Sequence, residues 1–98
     1  MLLKNYSRTG RICRVTFKYP NPEKCSTAVL AGDFNDWRLD ACPMRRLKDG
    51  SFSVTVSLAA GNSYRFRYVL DGSIWVNDHA ADDYLPNDQG SEDSLVSV

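Results

Sequence analysis

The sequence predicts an all-β chain folded as an antiparallel β-sandwich. Three observations support this: apolar and polar residues alternate with the period of two that a half-buried strand requires; Gly, Pro and Asn punctuate the chain at near-regular intervals; and helix start signals are almost absent.

The strands follow in order. In residues 13–19, Cys13, Val15, Phe17 and Tyr19 alternate with Arg14, Thr16 and Lys18, so one face is buried and the other solvated. Pro20-Asn21-Pro22 ends that strand, because proline has no N–H to give to a ladder. Residues 28–31 form a short apolar run that stops at Gly32. The clearest alternation is in residues 52–58, where Phe52, Val54, Val56 and Leu58 point one way and Ser53, Thr55 and Ser57 the other. Gly61-Asn62 is a turn, and residues 64–70 alternate again, with Tyr64, Phe66, Tyr68 and Leu70 on one face and Arg65 and Arg67 on the other. Asp71-Gly72 is a tight hairpin signal, and residues 74–76 form its short return strand. The polar stretch 77–93 reads as a long ordered loop, and residues 95–98 as the last strand. The first ten residues are either an edge strand or a flexible arm, and residues 11–98 form one domain.

The composition excludes several classes of function. The chain has 98 residues, 12 Lys plus Arg, 12 Asp plus Glu and a formal net charge of zero. At this length it holds one core. A nucleic-acid binder would carry a basic balance, which is absent. Hydrophobic residues make up 43% of the chain, too many for a disordered polymer. Cys13, Cys25 and Cys42 contain no CxxC pair and are an odd set, so they read as small thiols in a reducing compartment rather than a disulfide frame or zinc site. The sequence leaves open whether Cys13 and Cys42 are neighbours, and nothing in it forces a bond between them. No apolar stretch near the N-terminus is long enough for a signal peptide, and none anywhere is long enough for a membrane span. The expectation is a cytoplasmic protein with neither a nucleic-acid nor a membrane partner.

Catalytic devices are poorly supported. His79 is the only histidine, and it lies among Asn77, Asp78, Asp82 and Asp83, which reads as a solvated loop without the spacing of a calcium loop. Asp33 and Asp36 flank a turn instead of facing each other across a cleft, as paired glycosidase carboxylates do. No catalytic residue, cofactor or metal ligand is assigned. The aromatic residues beside turns are more informative. Trp37 sits just past a strand and Trp75 just after the hairpin turn, and neither belongs to the alternating core set. An indole at a loop edge serves as a core lid, an interface anchor or a ligand platform. Two of them weight the balance toward a binding surface. An indole face accepts the axial C–H groups of a pyranose ring, and a neutral polysaccharide asks for no net protein charge. Arg65 and Arg67 read either as hydroxyl donors or as an ordinary solvated strand face.

The residues around these tryptophans resemble a known family. Gly32-Asp33-Phe34-Asn35-Asp36-Trp37 is similar to the G-[SD]-F-N-x-W signature of family 48 carbohydrate-binding modules. That family includes the glycogen- and starch-binding modules of the AMP-activated kinase β subunit and the early-set domains that precede branching and debranching enzymes. Tyr64 to Gly72 is similar to its Y-x-[FY]-x-[FY]-x-[VL]-D-G strand and turn, and Gly90-Ser91-Glu92-Asp93-Ser94 to the run before its last strand. The likeness spans residues 11–98, with three motifs in order.

The resemblance implies an immunoglobulin-like early-set sandwich that is non-catalytic and binds α-1,4-linked glucan (glycogen, amylose or maltooligosaccharides). It implies Trp37 and Trp75 as sugar platforms and places Arg67 where the kinase-type modules use a lysine. Gln89 stands where that subgroup has a leucine that pierces the glucan ring, and Ser91 and Asp93 stand in place of its Thr and Asn contacts. The chain resembles the small bacterial proteins made only of an early-set domain. Two other readings stay open: a protein-interaction module that has lost the sugar, and an accessory domain to a separate family 13 glycoside hydrolase.

Overall fold

The computed structural model describes all 98 residues. Nine strands form two antiparallel sheets: β1 Leu2–Tyr6, β2 Ile12–Tyr19, β3 Ala28–Gly32, β4 Arg45–Arg46, β5 Phe52–Ala59, β6 Ser63–Leu70, β7 Ile74–Val76, β8 Asp83–Pro86 and β9 Glu92–Ser97. The first sheet runs β1-β2-β5-β4 and the second β3-β6-β9-β8. β7 pairs with the far end of β6, Tyr68↔Val76 to Leu70↔Ile74. The chain is thus an all-β antiparallel sandwich, as its alternation predicts, and of the immunoglobulin-like kind that the resemblance implies. The N-terminal residues form the edge strand of the two alternatives, pairing Leu2↔Phe17 through Tyr6↔Cys13.

The core lies between the sheets and is built from the inward positions of the alternating segments. Cys13, Val15, Phe17 and Tyr19 come from β2, Phe52 and Leu58 from β5, and Phe66, Tyr68 and Leu70 from β6. Aromatic rings make the contact across the gap. Phe17 meets Phe66 edge-on at 5.0 Å, and Tyr19 lies 5.3 Å from Tyr68. The three cysteines are free, with Cys13 and Cys25 buried.

Three elements differ from the sequence expectation. The stretch 77–93 contains β8, and β9 begins at Glu92, three residues earlier than the apolar pattern indicates. β8 is an edge strand in which only Leu85 is even half-buried, so burial leaves little periodic trace in it. β4 is two exposed residues held by β5, too short to have a period.

Two polar residues tie the loops together. Buried Asn21 donates to the carbonyls of Cys25 and Gly50 and accepts from the Cys25 amide, linking the β2–β3 loop to the turn before β5. The hairpin turn holds Asp71 and Gly72 at φ of 49° and 77°, and the Ser73 amide donates to the Leu70 carbonyl at 3.1 Å, the signature of a type I′ turn. The Asp71 carboxylate also accepts from the amides of Ser26 and Thr27, at 2.9 and 3.0 Å. These bonds, the Thr27 amide foremost, hold the Asp71 carboxyl below its usual value.

A group with a depressed folded-state pKa stabilises the fold above its unfolded value and loses that contribution as pH falls through the folded one. Asp71→Asn keeps the turn geometry and removes the charge. Its melting temperature should lie below that of the parent at about pH 6 and converge with it toward about pH 3. Asp40 and Asp49 are depressed in the same direction and titrate equally in both proteins, so they cancel from the difference.

Candidate functional site

The site is built on the outer side of the second sheet. Its first wall is the segment leaving β3. Gly32 is extended, so the need for glycine there is one of space. A Cβ would lie 2.5 Å from the Arg65 carbonyl oxygen and 2.9 Å from the Phe34 ring. Asn35 closes the short 3-10 turn Asp33–Asn35 by accepting from the Gly32 amide and donating to the Leu30 carbonyl. Phe34 reaches inward to Phe17 and Tyr64. Asp36 and Trp37 both adopt left-handed backbone, at φ of 55° and 58°, and the Trp37 amide donates back to the Gly32 carbonyl at 2.9 Å. The Asp33 carboxylate accepts from the Trp37 indole N–H at 3.1 Å and from the Arg65 amide at 2.8 Å. Each residue of the motif therefore has a part in aiming the Trp37 indole.

The floor is β6 with β7. Trp75 is 41% exposed, and its ring centroid lies 6.5 Å from that of Trp37, the two planes inclined by 34°. Arg67 lies beside the pair. Its Cζ is 5.9 Å from the Trp75 ring centroid, its Nη2 donates to the Trp75 carbonyl at 3.2 Å, and its Nε is buried without a partner. An unpaired buried donor is rare and costs about 1–3 kcal/mol, which singles this position out.

The second wall is the turn between β8 and β9, organised by Asn87. The Asn87 carbonyl oxygen Oδ1 accepts from the amides of Gln89 and Ser91, and its Nδ2 donates to Asp93. Arg65 fastens this wall as well, donating to the Pro86 carbonyl at 3.0 Å and the Asp93 carboxylate at 3.4 Å. Together the walls enclose a groove of about 490 Å³ lined by Trp37, Arg67, Trp75, Asn87, Asp88, Gln89 and Asp93.

Five of the six residues expected at the site line this groove. Ser91 does not line it and acts through its amide bond to Asn87. Asp93 lines the groove but is buried, with both carboxylate oxygens occupied by Arg65 and Asn87. Sequence reasoning missed Asn87, Asp88 and the positioning role of Arg65. A polar run with Gly90 at φ 77° signals a turn, and an Asn three residues before that glycine is the residue type that caps one. A second hollow of about 540 Å³ shares Arg67 and Trp75 with the groove and continues past them to Glu23, Asn77, His79 and Glu92. His79 lies there with its ring stacked on Tyr19, 6.4 Å away, and Tyr19 donates to Glu23. No cluster of three potential metal-ligating side chains occurs in the chain, and no helix is long and apolar enough to cross a membrane.

Residues 13–98 match the family model described as the glycogen recognition site of AMP-activated protein kinase. The chain belongs to this family of carbohydrate-binding modules. The match covers every strand of the glycogen-recognition domain except β1 and the first residue of β2. No curated protein matches the chain.

Two substitutions test this construction of the glycogen-recognition domain. Gly32→Ala places a methyl group against backbone that cannot swing away, and should lower unfolding stability by about 1–3 kcal/mol in urea titrations. Arg65→Met keeps the stem and removes the donors. Because that ion pair is partly exposed, the expected loss is modest, on the order of fivefold faster amide exchange at Gln89 and Ser91. Amides of β2 and β5 should be unaffected.

Proposed function

We propose that the domain binds α-glucan chains of the glycogen and starch type without transforming them. The reading is carried by the pair of indoles, 6.5 Å apart and inclined by 34°, standing over Arg67 in an open groove. Hydrophobic sugar faces stack on indoles. An α-1,4 linkage turns each ring relative to the last, so successive rings of a curved chain suit two tilted platforms, while the flat ribbon of a β-1,4 glucan suits coplanar ones. The Arg67 guanidinium supplies hydroxyl donors beside the stack, and Gln89 at the rim both donates and accepts. Asp93 and Ser91 hold the second wall rather than touch sugar. The family membership supports a glucan polysaccharide as the ligand.

The groove chemistry favours binding over cleavage. Glycoside hydrolysis uses two carboxyl groups across the scissile bond. Here Asp93 is bonded to Arg65 and Asn87, which leaves Asp88 alone among the groove carboxylates. The second hollow beyond Trp75 gives a longer chain room to continue past the two stacked rings.

Replacing Trp37 or Trp75 by Ala should each weaken maltoheptaose binding by about 1–3 kcal/mol, taking base stacking on aromatic side chains as the guide, or roughly five- to 150-fold. The double variant should pass unretarded through a glycogen affinity gel with an unchanged circular dichroism spectrum. Cellohexaose should leave the tryptophan fluorescence of the parent unaltered. Full retention of the folded double variant on glycogen would reassign the indoles as anchors for a protein partner.

A further inference from the structure

The net charge of zero conceals a strong separation of charge. The first sheet and its turns (residues 1–19 and 45–59) carry eight cationic side chains and a single acid, Asp49, a net of +7. The rest of the chain carries eleven acids and four cations, a net of −7. The separation follows from the strands. Arg14, Thr16 and Lys18 are the outward residues of β2; the register places Arg14 beside Asn5 and Ser57, and Ser53 lies between Lys18 on one side and Arg45 on the other. The outward residues Leu3, Asn5, Thr16, Ser53, Thr55 and Ser57 add no acid. Of the eight cations only Lys4 has an ion-pair partner, Asp82. Seven of the eleven acids in the other half, among them Asp83, Asp88 and Glu92, are likewise unpaired.

We infer that this surface is a docking face for a second copy of the chain, the basic first sheet of one copy seating on the acidic half of the next. Charge complementarity selects that occupant: seven cations of the first sheet and seven exposed acids of the other half have no ion-pair partner within the molecule, and a second copy supplies the missing partners to both. The zero net charge removes the long-range repulsion that keeps most small domains apart. The shape permits it as well. The molecule is a slab of 38 × 35 × 23 Å, and its broad face exceeds the roughly 800 Å² per partner of a standard interface. A shallow hollow of about 320 Å³ beside Arg14, lined also by Leu3, Asn5, Thr16 and Thr55, offers an acidic side chain a seat. The outward positions of this sheet carry no aromatic residue, and the exposed Tyr6 lies at its edge in register with inward Cys13, so the face lacks the stacking platforms of a single-strand nucleic-acid surface. Contact between two different surfaces is heterologous, so association is open-ended unless it closes into a ring.

Sedimentation equilibrium of the full chain tests this directly. At about 20 mM salt the average mass should rise with protein concentration, and the association constant should fall about tenfold or more by about 300 mM salt. A sixfold variant, Arg14→Glu, Lys18→Glu, Arg45→Glu, Asp83→Lys, Asp88→Lys and Glu92→Lys, keeps the net charge at zero and nearly abolishes the separation. It should be monomeric at both salt concentrations. If that variant fails to fold, the milder Gln and Asn replacements at the same six positions roughly halve the separation and should weaken association at low salt. A parent that stays monomeric at low salt overturns the proposal, as does a folded sixfold variant that associates like the parent. Parent binding to phosphatidylserine vesicles or duplex DNA, without self-association, would assign the basic face to those partners instead and equally overturn it.

Discussion

Both walls of the groove depend on one residue of the central strand. The Arg65 amide is bonded by Asp33, and the Arg65 carbonyl occupies the space that glycine leaves at position 32. Its guanidinium reaches the opposite way to Pro86 and Asp93. The two walls are irregular segments with no ladder of their own, and loops of that kind are ordinarily the mobile parts of a domain. Here they are fastened to a strand that pairs with β3 along one edge and with β9 and β7 along the other. Alternation then does the rest. The inward residues Phe66 and Tyr68 lock β6 into the core, so the outward Arg65 and Arg67 are fixed to the same degree.

Trp37 illustrates how such a scaffold sustains an unfavourable local conformation. Left-handed backbone at two consecutive residues with full side chains, one of them a tryptophan, costs on the order of 1–3 kcal/mol each. It persists because the Gly32 carbonyl accepts the Trp37 amide and the Asp33 carboxylate accepts the indole N–H. The outcome is an indole whose polar edge is satisfied by protein, leaving its apolar face for the groove. A platform arranged before the ligand arrives loses less side-chain freedom on binding.

Legibility in the sequence followed burial. Strands with one buried face, such as β2, β5 and β6, were readable because hydrophobic transfer imposes a period of two on them. β1, β4 and β8 lie at sheet edges, where few positions are buried, and they left little or no pattern. In the site, Trp37, Trp75 and Arg67 were legible through motif and residue type. Gln89, Ser91 and Asp93 were located by resemblance, but their roles were not, because a carboxylate in a loop looks the same whether it faces a ligand or is held by an arginine from another strand. Asn87 had a local signal in its place before the turn glycine, whereas Arg65 acts by a tertiary hydrogen bond spanning 28 residues, to which no local pattern points.

The edges also bear on how copies of the chain can meet. An open sandwich invites strand addition at its edges, and each edge here is blunted. β1 turns Lys4 toward the second sheet and ties it to Asp82, whose carboxylate also holds the Ser97 amide. β3 is covered by the segment carrying Cys42 and Met44, which exchanges backbone bonds with Leu30 and Ala28. β4 is two residues long, and β8 ends at Pro86. With strand pairing hindered at these edges, the broad faces remain for association, one of them basic and the other carrying the indole groove among acidic loops. A fold that prevents one mode of self-association through local edge chemistry therefore leaves the other to its charge distribution, which salt tunes and mutation redraws without touching the core.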